Sequence, residues 1–164
     1  MRLDQSVKIA ARPETVFAYI ADPENYLHFL SGVTRWEVTG EKANGLGARY
    51  RVLIRVGAAE VGGLIEMVEW DEPYDIAWHS VTGVDQRGRF RIREDGEKRS
   101  KVEFRFAYGV VGGGVAGLIT EFAAIPTMRS HMRRTLQQLK RQTEHEQRRL
   151  EAERRRAGRE PTRA

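Results

Sequence analysis

Four histidines, His28, His79, His131 and His145, are the first residues to weigh as chemistry in a chain that has no cysteine. Imidazole is the commonest metal ligand and general base. No two of these histidines stand at HxH or HExxH spacing, so the pattern predicts no metal site. His145 falls in a charged C-terminal stretch and reads as solvated. His79 follows Trp78 in an alternating segment, so only one of the two points inward, and Trp78 is expected there. His131 lies beside Met132 at the edge of a helix. The lack of cysteine excludes disulfides, thiolate metal sites and a cysteine nucleophile. No cofactor is expected.

Glu66 is the candidate for acid or base chemistry, because it sits between Ile65 and Met67 in an apolar run. Turned inward, its carboxyl would have a raised pKa and could exchange protons with a bound molecule. Tyr50 or Tyr108 would then serve as a hydrogen-bond donor. Turned outward, it would pair with a strand arginine, which is the commoner arrangement. The run Gly112-Gly113-Gly114-Val115-Ala116-Gly117 matches GxGxxG, the loop that cradles a pyrophosphate in a dinucleotide-binding unit. The preceding strand alternates with Glu103 and Arg105, and no strand follows the next helix. The run therefore reads as a pliable loop at Gly112, Gly113 and Gly114, either a gate or a plain connection.

Arginines form two rows, Arg49, Arg51 and Arg55, then Arg87, Arg89, Arg91 and Arg93. Both rows belong to one face of a sheet. They read as a solvated face, or as a surface that docks an acidic partner or an anionic membrane. Aromatic residues between arginines would point to RNA stacking. Here Tyr50, Phe90 and Phe104 point the other way, so a nucleic-acid partner is not expected.

These residues are positioned by elements that the hydrophobic periods mark out. Val7 and Ile9 alternate as a first strand. Pro13 and Glu14 open a short helix with Val16, Phe17 and Ile20 on one side. Asp22-Pro23-Glu24 caps and opens a second helix, with Tyr26, Phe29 and Leu30 inward. Six strands follow without intervening helices, which implies an antiparallel meander with one covered face. In them Ala48, Tyr50, Val52, Ile54 and Val56 share a face, as do Phe90 and Ile92, and Val102, Phe104, Phe106 and Tyr108. Gly62-Gly63 predicts a bulge or bend, and Asp95-Gly96 a hairpin turn. A long helix carrying Leu118, Phe122, Ile125, Met132, Leu136 and Leu139 on one side covers the sheet. Pro126 predicts a kink or break in it. The fold class is α+β.

The 164 residues suit one domain, placed at 1–143, with a charged helical extension and disordered tail over 144–164. The formal charge is +5, of which residues 140–164 supply +4, so the globular part is close to neutral. After Leu139 the pattern stays helical but only Leu150 is apolar. Glu144 to Arg148 and Glu151 to Arg155 are spaced for ion pairs along a solvated helix. The heptad positions of this stretch are too polar for a coiled coil. No apolar run reaches eighteen residues, and residues 1–10 lack the apolar stretch of a signal peptide. A cytoplasmic protein, a monomer or a weak dimer, is expected.

The phrases from Val7 to Phe17, Ile20 to Tyr26, Glu66 to Pro73 and Leu136 to Lys140 resemble the START-like superfamily, also called SRPBCC. Its polyketide cyclase/dehydrase and lipid-transport branch is the most similar. The resemblance spans about residues 5–145. It implies a helix-grip fold of about seven strands, with a cavity between sheet and helix for an apolar small molecule. His28 departs from the pattern, standing where many relatives carry an aromatic residue. The expected lining is Trp36, Tyr50, Val52, Ile54, Trp78, Phe90, Phe104, Phe106, Leu118, Phe122 and Ile125. Three functions stay open: a binder or carrier of an apolar ligand such as a lipid or polyketide, a cyclase/aromatase-like enzyme, and an interaction module working through the basic outer face.

Overall fold

The protein is described from a computed structural model covering residues 2–109 and 114–158, with side chains described for 2–109 and 125–158. Strand β1 (Arg2–Ile9) leads into α1 (Pro13–Ala21), a 3-10 turn (Pro23–Asn25) and the single helical turn α2 (Tyr26–Phe29). Six strands follow: β2 (Val33–Thr39), β3 (Arg49–Val56), β4 (Ala59–Asp71), β5 (Asp75–Gly83), β6 (Asp85–Glu94) and β7 (Ser100–Gly109). Helix α3 (Gly114–Ala157) ends the described chain. The seven strands form one antiparallel sheet in the order β1-β7-β6-β5-β4-β3-β2. This is the expected α+β helix-grip architecture. The first strand returns to pair with the last, Val7 opposite Val102.

Local chemistry explains the joints. Pro13 occupies the first turn of α1, where its missing N–H removes no helical bond. The Asp22 carboxylate accepts from the Glu24 N–H at 3.0 Å and starts the 3-10 turn. Gly62 and Gly63 lie where strands approach too closely for a side chain. A Cβ on either would fall 2.0 Å from a carbonyl oxygen, of Val52 or Thr82. The irregularity expected at this pair sits just beyond it, as a register shift between Leu64 and Ile65.

The alternation reads through to the packing. Tyr50, Val52, Ile65, Met67, Ile76, Trp78, Phe90, Ile92, Val102, Phe104 and Phe106 are buried on the inner face. Their rings touch in a chain: Phe90 stacks on Phe104 at 4.4 Å, and both contact Trp78, which meets Trp36 edge-on. Gly88 makes this possible. It faces Trp78 across β5 and β6, and a Cβ there would lie 1.9 Å from the indole ring. The missing side chain leaves the space into which the ring folds.

Helix α3 runs through Pro126, so of the kink or break expected there the break does not form. The lost N–H affects one hydrogen bond. Beyond it Met128, Met132, Leu136 and Leu139 are buried in the core and hold the helix down. The segment after residue 143, expected as solvated, is only partly so. Thr143 and Gln147 are buried. Gln147 Oε1 accepts from the Thr15 hydroxyl at 2.8 Å and the Arg12 N–H at 3.2 Å. Glu144 accepts from the Ala10 N–H, and Lys140 donates to the Lys8 carbonyl. Polar groups at helical spacing fasten α3 to the β1–α1 connection, a use that an apolar-period reading passes over. No described helix is long and apolar enough to cross a membrane.

Candidate functional site

The inner face of the sheet and one side of α3 enclose a cavity of about 30 Å³. Its wall includes Trp36 from β2, Val52 and Ile54 from β3, Trp78 from β5, and Phe104 and Phe106 from β7. These six were all expected there. Tyr50 and Phe90 are fully buried in the core but do not reach the cavity. Ile125 is half-buried against the core cluster. The side chains of Leu118 and Phe122 lie outside the described residues, as do Gly112 and Gly113, while Gly114 is the first residue of α3.

The remaining wall was not singled out from the sequence as lining. Leu30 and Ser31 come from the α2–β2 connection, Val33 from β2, Gln86 from β6, and Met128, His131, Met132 and Thr135 from α3. Gln86 was legible: it shares a phase with Gly88, Phe90 and Ile92, opposite the arginine row. Met128, Met132 and Thr135 follow the four- and three-residue spacing of the buried side of α3.

Polar atoms cluster at one end of the wall. The Ser31 N–H donates to Thr135 Oγ1 at 2.9 Å. Ser31 Oγ lies 3.2 Å from His131 Nδ1, and His131 Nε2 lies 3.2 Å from the Arg55 carbonyl oxygen. The imidazole sits over Gly32, where a Cβ would fall 2.6 Å from it. His131 thereby ties α3 to the α2–β2 connection and to β3.

Three buried side-chain polar atoms among the described residues have no hydrogen-bond partner: Tyr26 Oη, Trp36 Nε1 and Thr39 Oγ1. Tyr26 packs on Trp36 with ring centroids 4.0 Å apart. Burial pushes its hydroxyl well above the usual tyrosine range, with Tyr50 and Asp22 adding to the effect. Burial pushes Tyr50 up to about 12, and its hydroxyl donates to the Ala43 carbonyl at 2.6 Å. An unpaired buried donor costs about 1–3 kcal/mol. The core carries that cost on α2 and β2, beside the cavity.

Glu66 is not part of the cavity. Ile65 and Met67 take the inward phase, and Glu66 turns outward to Arg49 at 2.6 Å. The cavity wall contains no carboxylate among the described residues. His79 is exposed and Trp78 buried, as their order in the strand implied. Among the described residues no three acidic or histidine side chains gather as a metal site.

The arginine rows are largely answered by acids on neighbouring strands. Arg55 pairs with Glu60, Arg89 with Glu69, and Arg105 with Asp4. Asp75, its side chain only 7% exposed, receives Arg91 at 3.2 Å and Arg93 at 2.7 Å. Arg51 and Arg87 carry no ion pair among the described residues. The outer face is thus a lattice of alternating charge rather than a continuous basic surface.

Comparison with known proteins agrees with this architecture. The structure is similar to TTHA0849 from Thermus thermophilus, with a TM-score of 0.74 and 21% identity over 87% of this chain and 97% of that one. It is similar to the Zhui aromatase/cyclase from Streptomyces sp. R1128, with a TM-score of 0.73 and 16% identity over 88% and 93%. A START superfamily protein from Mycobacterium smegmatis matches at 0.65 and 16% identity over 91% and 98%. At these identities the likeness is one of fold. No curated protein matches the chain by sequence. Residues 1–144 match the family described as polyketide cyclase/dehydrase and lipid transport. The chain therefore belongs to that family, within the START-like, or SRPBCC, superfamily.

Proposed function

We propose that the protein binds an apolar small molecule bearing a hydrogen-bonding group between its sheet and α3, as a binder or carrier. The observation that carries this reading is an aromatic cavity wall containing an unpartnered donor. Trp36 lines the cavity, and its indole N–H has no acceptor among the described residues. A ligand oxygen reaching that N–H would remove its desolvation cost.

The cavity has about the room of one water. Small-molecule sites commonly occupy about 300–1,000 Å³. Binding on this scale requires the wall to move, and Met128 and Met132 supply the adaptable part. Their unbranched thioether chains repack at low cost. The sheet wall, built of interlocked rings, stays in place while α3 side chains rearrange. Catalysis as in a cyclase would need an acid or base in the cavity. Glu66 is directed away from it, which favours binding over chemistry. Docking through the outer face is weakened by the acids that pair most of its arginines.

Titration with the neutral dye N-phenyl-1-naphthylamine tests the reading. Saturable binding that quenches the tryptophan fluorescence is expected, and Val52→Phe, which fills the cavity, should abolish it. Binding that does not saturate, or that survives Val52→Phe unchanged, would place the dye elsewhere and reject the cavity.

A further inference from the structure

We propose that Ser31, His131 and Thr135 form a carboxylate-binding station at the polar end of the cavity, and that the ligand is an amphipathic acid taken up together with a proton on His131. The inference rests on the cavity reading above and names the ligand's polar end.

The hydrogen-bond pattern fixes which ring nitrogen must carry hydrogen. The Arg55 carbonyl can only accept, so the His131 nitrogen facing it, Nε2, carries hydrogen. In neutral imidazole, Nδ1 is then the acceptor, and the Ser31 hydroxyl donates to it. Thr135 Oγ1 accepts from the Ser31 N–H, while its own hydrogen has no acceptor among the described residues. Thr135 is only 2% exposed, so this donor capacity is held inside the wall.

Protonation of His131 reverses one bond. Nδ1 then donates to Ser31 Oγ, and the Ser31 hydrogen is released toward the cavity. Ser31 and Thr135 now offer two hydroxyl donors side by side, linked by the Ser31 N–H, with an imidazolium behind them. Two donors and one positive charge match the two oxygens and single negative charge of a carboxylate. The Arg55 carbonyl keeps its bond in both states, so the ring need not move.

The surroundings give the sign of the coupling. Among the described residues the cavity wall holds no other titratable side chain. On the elements packed around His131, α2 carries His28, β2 carries Arg35 paired with Glu37, and β3 carries Arg55, whose guanidinium pairs with Glu60. On α3 the flanking charges are Arg129, Arg133 and Arg134. Glu37 and Glu60 are already engaged by arginines, and the exposed Arg129, Arg133 and Arg134 are positive, so the described surroundings offer His131 no free anion. A bound carboxylate supplies the missing anion, so its binding and proton uptake favour each other.

The test compares decanoate with methyl decanoate, which share the apolar chain and differ in the anionic end. Affinity is read from tryptophan fluorescence at about pH 6 and about pH 8. Decanoate is expected to bind about tenfold or more tighter than the ester at the lower pH, the size of a charge-assisted hydrogen bond. That advantage should shrink at the higher pH, and calorimetry in buffers of different ionisation enthalpy should show proton uptake. Ser31→Ala, which removes a hydroxyl bonded only to His131, should lower decanoate affinity by a larger factor than ester affinity. His131→Gln should abolish the pH dependence, with a thermal melt confirming that the fold persists. Equal binding of acid and ester at both pH values would overturn the station while leaving the cavity reading intact. Failure of both to bind would overturn both.

Discussion

Helix α3 meets the rest of the fold in two stretches that solve the burial of polar groups in opposite ways. From Lys140 to Glu151 its contacts with β1, α1 and the β6–β7 turn are polar and complete. Thr143 donates to the Leu139 carbonyl, Gln147 serves two donors and one acceptor, and Glu151 pairs with Lys98. From Met128 to Thr135 it faces a small void whose wall has donors to spare. A buried polar group without a partner is destabilising, so the first stretch reads as permanent structure and the second as a place held for something else. The same helix thus separates a fastening from a binding wall.

The largest effect that sharpens this contrast is Phe104→Ala. The ring stacks on Phe90 and touches Trp78 and Phe106. Its loss should cost about 3–5 kcal/mol in denaturant unfolding, as for a core aromatic. A cost well under about 1 kcal/mol would mean that the ring borders empty space more than packed core. At the fastened end, Gln147→Ala strands the Thr15 hydroxyl and the Arg12 N–H, and should cost about 1–3 kcal/mol. No measurable change would show that water replaces the glutamine and that the stretch is not structural.

Alkaline titration probes the ring cluster beside the cavity. Tyr50 is raised to about 12, and Tyr26 is raised well above the usual range. In the unfolded chain both ionise near about 10. Their contribution to stability is therefore complete below about pH 10 and is lost as pH rises toward about 12. Tyrosinate absorbance from these two rings should emerge with unfolding, and its appearance well before the circular-dichroism transition would mean the rings are accessible to water. The smallest stability effect is expected for Trp36→Phe, which removes the unpartnered indole N–H and keeps a ring. Unfolding should change by less than about 1 kcal/mol, while ligand affinity falls. Ligand affinity unchanged by the substitution would mean that the N–H is not reserved for a ligand.

Much of this was legible from period and turn residues. The two-residue alternation in β3, β6 and β7 placed Tyr50, Val52, Phe90, Phe104 and Phe106 inward, because a pleated strand leaves no other choice. Asp22 and Pro13 marked their helix starts by capping and dihedral restriction. What escaped was set by contacts between distant segments. Ser31 and His131 are a hundred positions apart and meet only because α3 packs against α2 and the connection that follows it. Gln147 reads as one polar residue among many until Thr15 is brought against it. Glu66, by contrast, turns outward to Arg49, the commoner of the two arrangements its place in the strand allowed. Pro126 promised a kink or a break, and α3 continues through it.

The central claim is that the wall lined by Trp36 takes up an apolar molecule. Native mass spectrometry of the protein purified without detergent, followed by solvent extraction and identification of what accompanies it, tests this most directly. The account predicts a stoichiometric apolar small molecule carrying an oxygen acceptor, and its absence from a Val52→Phe variant. A protein that emerges empty, and that also fails to take up added lipids or hydrophobic acids, would contradict the account and leave the aromatic interior as core alone.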